Sequence, residues 1–158
     1  MIRAGLPALA LACHVERAAA AGDLDGLRAL LPDPRRADDA ETLVKALLLV
    51  GDAAAVEEAE HVAESNALVG AAVRAAARRA RCDPSHATRA VALLDETEAR
   101  VGALDRLAVR ADPWPATKDR VHRTEAKRVL AALREHAPTE YRDSIGQKVP
   151  LYSEVAAF

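Results

Sequence analysis

Hydrophobic residues recur every three or four positions along most of the chain, which is the spacing of one face of an α-helix. The longest such stripes lie in residues 53–81 and 84–111. Gly, Pro and Asp residues stand between the stripes, where they end one helix and cap the next. The pattern therefore predicts an all-α fold, a bundle of roughly five to seven helices with an extended C-terminal tail.

Helix starts and stops can be read from this punctuation. Asp23 and Asp83 are suited to N-cap positions, and the Gly51–Asp52 pair repeats the Gly-Asp pair that precedes the second helix. The pattern leaves open whether residues 53–81 form one helix or two. Residues 84–111 carry a heptad spacing that favours packing against another helix. The predicted helices span residues 7–21, 23–31, 39–50, 53–81, 84–111 and 118–137.

The helical spacing fades after Pro138, although rare aromatic residues are concentrated there. This composition predicts a helical domain over residues 1–137 and an extended arm over residues 138–158. A tail without a binding surface is normally more polar, so we expect the arm to dock on its own bundle or on a neighbouring subunit. Its predicted interface residues are Val149, Leu151, Tyr152, Val155 and Phe158.

Trp114 lies between two prolines in a stiff connector between helices. Tryptophan is enriched at protein interfaces. Two interpretations therefore stay open for Trp114: it anchors the connector to the bundle, or it is an exposed interface residue.

Charge divides the helical domain into halves of opposite sign. Residues 1–66 carry 6 Lys or Arg and 12 Asp or Glu, whereas residues 67–137 carry 14 and 9. Such an asymmetry concerns partners rather than fold. It predicts that the basic half meets something acidic, either nucleic acid, another protein, or the acidic half of a second copy.

Two stripes of basic residues follow helical spacing within the basic half. Arginine can grip phosphates with two parallel hydrogen bonds, and a helical stripe can follow a nucleic-acid backbone. No aromatic residue interleaves with these stripes in the sequence to stack on bases. The candidate anion or nucleic-acid contacts are Arg74, Arg78, Arg81, Arg120, Arg123 and Lys127.

Composition excludes several classes of protein. The chain has only 2 Cys in 158 residues, which is not the pattern of a disulfide scaffold and favours a reducing compartment. The longest uncharged run, residues 4–15, is far shorter than the roughly 20 residues that cross a bilayer. Pro7 and Glu16 also argue against a secretory signal in this run. These features predict a cytoplasmic protein, or a part of an assembly formed in the cytoplasm, with no membrane partner.

The sequence contains no recognisable catalytic motif. Glu58 and His61 have the i, i+3 spacing of di-iron carboxylate bundles, and Asp119 and His122 repeat it. Neither pair is centred on an apolar stripe, so a solvated helix face is the favoured interpretation. The sequence therefore predicts no enzyme activity, no metal site and no cofactor.

The resulting functional prediction is a non-enzymatic interaction or assembly subunit, either a scaffold or an adaptor. In this hypothesis the acidic half of one copy meets the basic half of the next, and the C-terminal arm docks on a neighbour. Small helical adaptors of viral particles and bacterial scaffold proteins share this general architecture, which is an analogy at the level of fold. The alternative is a nucleic-acid-associated protein that binds phosphates through its arginine stripes.

Overall fold

A computed structural model describes residues 5–33, 39–144 and 150–157, and within these ranges the chain is helical with no strand. The all-α prediction is therefore confirmed. Three 3₁₀ turns, at Pro84–His86, Glu98–Arg100 and Thr139–Tyr141, accompany the α-helices. The described residues form these α-helices: α1 (Gly5–Ala21), α2 (Leu24–Leu30), α3 (Ala40–Val50), α4 (Ala53–Ser65), α5 (Val69–Cys82), α6 (Ala87–Thr97), α7 (Ala103–Ala111), α8 (Trp114–Thr117), α9 (Arg120–His136) and α10 (Pro150–Ala157).

Aspartate side chains cap the starts of four of the described α-helices, α2, α3, α4 and α9. The Asp23 carboxylate accepts a hydrogen bond from the Gly26 amide at 2.8 Å. The caps at Asp39 and Asp52 accept bonds of the same kind, at 3.1 and 2.9 Å. Each cap satisfies an amide that has no partner within its helix. These local bonds explain why the predicted starts agree with the structure to within about two residues.

The chain contains more helices than predicted because two long stripes are interrupted. Residues 53–81 form two helices, and Ala67 between them has a φ of 53°. The stripe over residues 84–111 is broken by the 3₁₀ turn at Glu98–Arg100 and by Gly102, which is the N-cap of α7. The apolar spacing in the sequence is therefore regular across both breaks, although the helix itself is interrupted there.

The C-terminal segment corrects the predicted extended tail. Residues 139–144 form helical turns, and residues 150–157 form α10. Proline at the first position of α10 suits a helix start because its fixed φ is helical and its missing N–H is not needed there. The weak hydrophobic periodicity of this segment does not indicate a helix. Packing against α7 and α9 stabilises α10 instead.

The chain divides into two compact units, residues 1–75 and residues 76–158, and the division falls within α5. In the first unit, α3 packs against α4, and α1 packs against α2 and α3. The Arg28 guanidinium lies 3.5 Å from the carboxylate of Asp52 and so links α2 to the cap of α4. The larger fully buried side chains of this unit are Val15, Leu27, Val44, Leu47, Val56 and Val73.

In the second unit, α7 packs against α9, and α10 packs against both. Their core contains one residue of α10, Val155, which is fully buried. A smaller cluster joins the end of α5 to α6 and consists of Ala76, Ala80, Ala87 and Ala90. The core cluster formed by α7, α9 and α10 consists of Leu107, Ala111, Ala126, Leu130 and Val155.

Candidate interaction surface

Two of the three arginines of the predicted α5 stripe, Arg78 and Arg81, are engaged inside the second unit. The third, Arg74, is exposed and belongs to the first unit. The Arg78 Nη1 lies 3.2 Å from Asp112 Oδ1, and the Arg81 Nη1 lies 3.3 Å from the same oxygen. Asp112 follows α7 directly and is only 7% exposed. A buried carboxylate needs such partners because an isolated charge is costly to remove from water. Arg78 and Arg81 therefore have a structural partner within the chain.

Arg81 also binds the C-terminal helix. Its Nη1 lies 3.1 Å from Glu154 Oε2, and its Nη2 lies 3.0 Å from Glu154 Oε1. Two parallel bonds between a guanidinium and a carboxylate fix geometry as well as adding energy. The Arg81–Glu154 pair therefore fastens α10 to α5.

Burial and the neighbouring charges have opposing effects on the pKa values of Asp112 and Arg81. Burial raises the pKa of Asp112, and the charges of Arg78 and Arg81 only partly offset this effect. Burial lowers the pKa of Arg81, but bonds and charge from Glu154 and Asp112 outweigh it and raise the pKa overall. Both directions are consistent because Glu154 favours the charged form of Arg81 and disfavours the charged form of Asp112.

The second predicted stripe, on α9, is open. Arg120, Arg123 and Lys127 are exposed and form no ion pair with any carboxylate that the structure describes. At the end of the helix, Arg134 instead donates to the backbone carbonyl of Arg142 at 3.2 Å. We call the exposed set Arg120, Arg123 and Lys127 the α9 basic face.

Trp114 adds an aromatic ring beside the α9 basic face. The Lys118 Nζ lies 5.5 Å from the ring centroid, and the Arg123 Cζ lies 5.8 Å from it. Both distances suit a cation–π contact. Trp114 is half-buried in α8, and its ring lies beside the basic surface.

Sequence reasoning missed this contact because it searched for aromatics within each basic stripe. Trp114 reaches Arg123 across the turn between α8 and α9, where Lys118 takes a left-handed backbone conformation with a φ of 54°. The available signal was the short distance in sequence between the Trp and the start of the basic stripe.

The predicted interface residues of the arm lie partly within the fold. Val155 is buried against α7 and α9, and Tyr152 packs beside it. Leu151 belongs to α10, but its side chain lies outside the described residues, as do Val149 and Phe158. The described part of the arm therefore docks on its own chain.

The remaining chemistry of the described residues is limited. No group of three or more His, Cys, Asp or Glu side chains within the described ranges is arranged to hold a metal ion. Among those same residues, no helix has the length and apolar character needed to cross a membrane.

Comparison with known proteins identifies no relative: no protein family, no curated protein and no solved structure matches this chain.

Proposed function

We propose that this protein is a non-enzymatic interaction subunit that binds an acidic protein surface through the α9 basic face. The observation that carries the proposal is the contrast between two sets of basic residues in the second unit. Arg78 and Arg81 are held by Asp112, whereas Arg120, Arg123 and Lys127 have no carboxylate partner among the described residues. Unpaired cations grouped on one rigid helix favour a partner of opposite charge.

The proposed partner is the acidic first unit of a second copy of this chain. Residues 1–75 hold 7 Lys or Arg and 12 Asp or Glu, and residues 76–158 hold 15 and 12. Exposed carboxylates of the first unit include Glu41, Glu57 and Glu64. Contact between unlike surfaces of identical chains is head-to-tail, and it builds a ring or a filament. The subunit would then serve as a scaffold or adaptor in an assembly.

Solution mass at low and high salt tests this proposal. Light scattering after size-exclusion chromatography should show an oligomer at low salt that dissociates at high salt, because exposed charge pairs are screened. The variant Arg120→Glu/Lys127→Glu should be a monomer at both salts. The control Arg17→Glu/Arg100→Glu changes the net charge equally at exposed sites elsewhere and should still oligomerise. A wild-type monomer at low salt would overturn self-association.

Nucleic acid is the second candidate partner, and the Trp114 contact favours it. A ring flanked by Lys118 and Arg123 combines a stacking surface with phosphate-binding cations. Fluorescence anisotropy with a labelled single-stranded oligonucleotide tests this role. Binding that weakens steeply with salt, and that both Arg120→Glu/Lys127→Glu and Trp114→Leu reduce, would support it. Failure of the oligonucleotide to bind at low salt would reject it.

A further inference from the structure

A groove runs between α7 and α9, on a different side of α9 from the basic face. Its volume is about 330 Å³, near the lower end of the range for small-molecule sites. An α-helix turns by about 100° per residue. Val129 and Leu133 therefore point to a different side of α9 from Lys127. The lining residues are Ala103, Arg106, Arg128, Val129, Ala132, Leu133 and His136.

The floor of the groove is apolar and continuous with the core. Val129 and Leu133 line the groove and also pack against the buried cluster that contains Leu107 and Leu130. Ala103 and Ala132 complete the wall with single methyl groups, and these small side chains leave the space open. A hydrocarbon or aromatic group lying on this floor would leave water without disturbing the helices.

The polar groups at the rim are cationic or ionisable to a cation. Arg106 is half-buried, and Arg128 is held in place through its Nε by the Glu125 carboxylate at 2.9 Å. The His136 Nδ1 lies 2.8 Å from the Ala132 carbonyl, which fixes the orientation of the ring. No carboxylate is among the described residues that line the groove.

The negative end of α9 is also neutralised beside the groove. The Arg142 side chain donates to the carbonyls of Glu135 and Ala137, at 3.0 and 2.9 Å. These carbonyls would otherwise repel an anion near the helix end. An anionic group at the rim would therefore meet the guanidinium groups of Arg106 and Arg128, of which Arg128 also pairs with Glu125.

We propose that this groove binds a small amphipathic carboxylate, with its apolar part on Val129, Ala132 and Leu133 and its carboxylate at Arg106 and Arg128. Guanidinium groups match the geometry of a carboxylate, and the apolar floor adds affinity in proportion to the buried area. The small volume fits a medium-length acyl chain or an aromatic acid rather than a long lipid. This site is separate from the α9 basic face and does not depend on the proposed self-association.

Calorimetric titration of the full chain with decanoate, kept below its micellar concentration, tests the site. Saturable binding at one site per chain is expected, and decanol should bind about tenfold more weakly because it lacks the charge. Ala132→Trp fills the groove from an exposed helix position and should abolish binding without loss of helicity. Arg128→Gln should weaken binding about tenfold, whereas the matched variant Arg123→Gln on the basic face should not.

Three results would overturn the proposal. The first is the absence of saturable binding to the wild type. The second is unchanged affinity in Ala132→Trp, which would place the ligand elsewhere. The third is equal affinity for decanol and decanoate, which would mean that the arginines at the rim do not recognise the carboxylate.

Discussion

Arg81 and Glu154 lie 73 positions apart in the sequence, and their side chains form a two-bond ion pair at 3.0 and 3.1 Å. The same guanidinium lies 3.3 Å from the buried Asp112. One cation therefore compensates a buried charge and fastens the last helix. A fully exposed ion pair would contribute little to stability by comparison.

Replacement of Arg81 by glutamine should lower the free energy of unfolding by about 2 kcal/mol. Breaking a buried pair costs about 3–5 kcal/mol and an exposed pair about 0–1, and the Arg81 side chain is 34% exposed. Urea denaturation measures the change. The control Arg100→Gln, at an exposed arginine, should cost less than about 0.5 kcal/mol. Equal effects of the two variants would contradict a role for the network.

Docking of α10 should depend on Val155. This side chain is fully buried, so Val155→Ala removes two buried methyl groups and should destabilise the second unit by about 2 kcal/mol. Amide hydrogen exchange should become faster in α10, because a short helix is not stable without tertiary contacts. Ser153→Ala, on the exposed side of the same helix, is the control. Unchanged exchange in Val155→Ala would mean that α10 is held by other contacts.

Stability should fall as the pH is lowered because of His122. This residue is 6% exposed, and its Nδ1 is buried without a hydrogen-bond partner among the described residues. Burial lowers the pKa of His122 from its usual 6.5; the Arg110 charge adds to this shift, and the Asp119 charge opposes it. The unfolded chain binds a proton near pH 6.5, whereas the folded chain binds it only at lower pH. The contribution to stability is thus full above 6.5 and is lost as the pH falls through the folded pKa.

Denaturant unfolding at several pH values between 7 and about 5 measures this loss. His122→Gln removes the titrating group and should flatten the dependence over this window. His14→Gln, at an exposed histidine, should leave the slope unchanged. A wild-type slope in His122→Gln would assign the pH dependence to other groups.

Two helix junctions should respond in opposite directions to exchange of glycine and alanine. Gly51 has a φ of 72° and Ala67 a φ of 53°, a region in which a Cβ atom costs about 1–2 kcal/mol. Gly51→Ala should therefore destabilise the first unit by about 1 kcal/mol. Ala67→Gly should stabilise it by about 0.5 kcal/mol, because the relief of strain exceeds the entropy that glycine adds to the unfolded chain. Thermal unfolding measures both changes, and a loss of stability in Ala67→Gly would contradict the assigned backbone conformation.

Local chemistry made the helix starts predictable, because an aspartate cap acts on an amide two or three residues away. Asp23, Asp39 and Asp52 all act in this way. The break after Thr97 was not predictable in the same manner, since the apolar spacing continues through residues 98–102 with no proline to interrupt it. Periodicity reports which side is apolar and does not require that the helix be continuous.

Spacing in the sequence predicts where basic residues share a helix face, but not which of them find partners within the chain. Both arginine stripes were identified from spacing, but spacing alone does not show which cations meet a carboxylate from a distant segment. Asp112 and Glu154 reach α5 only through the tertiary fold. The openness of α9 and the contact between Trp114 and Arg123 depend in the same way on packing between elements.

The buried side of α5 is built almost entirely from alanine: Ala72, Ala75, Ala76, Ala77 and Ala80 are each 7% exposed or less. Replacing one of these alanines by a smaller residue removes at most one buried methyl group. A larger side chain does not fit, because the neighbouring atoms are already packed at native density. Sequence drift in α5 is therefore constrained by size rather than by hydrophobicity. In a saturation mutagenesis screen, exchange of these positions for serine or glycine should be tolerated more often than exchange for leucine or phenylalanine, the reverse of the order expected in a leucine-rich core.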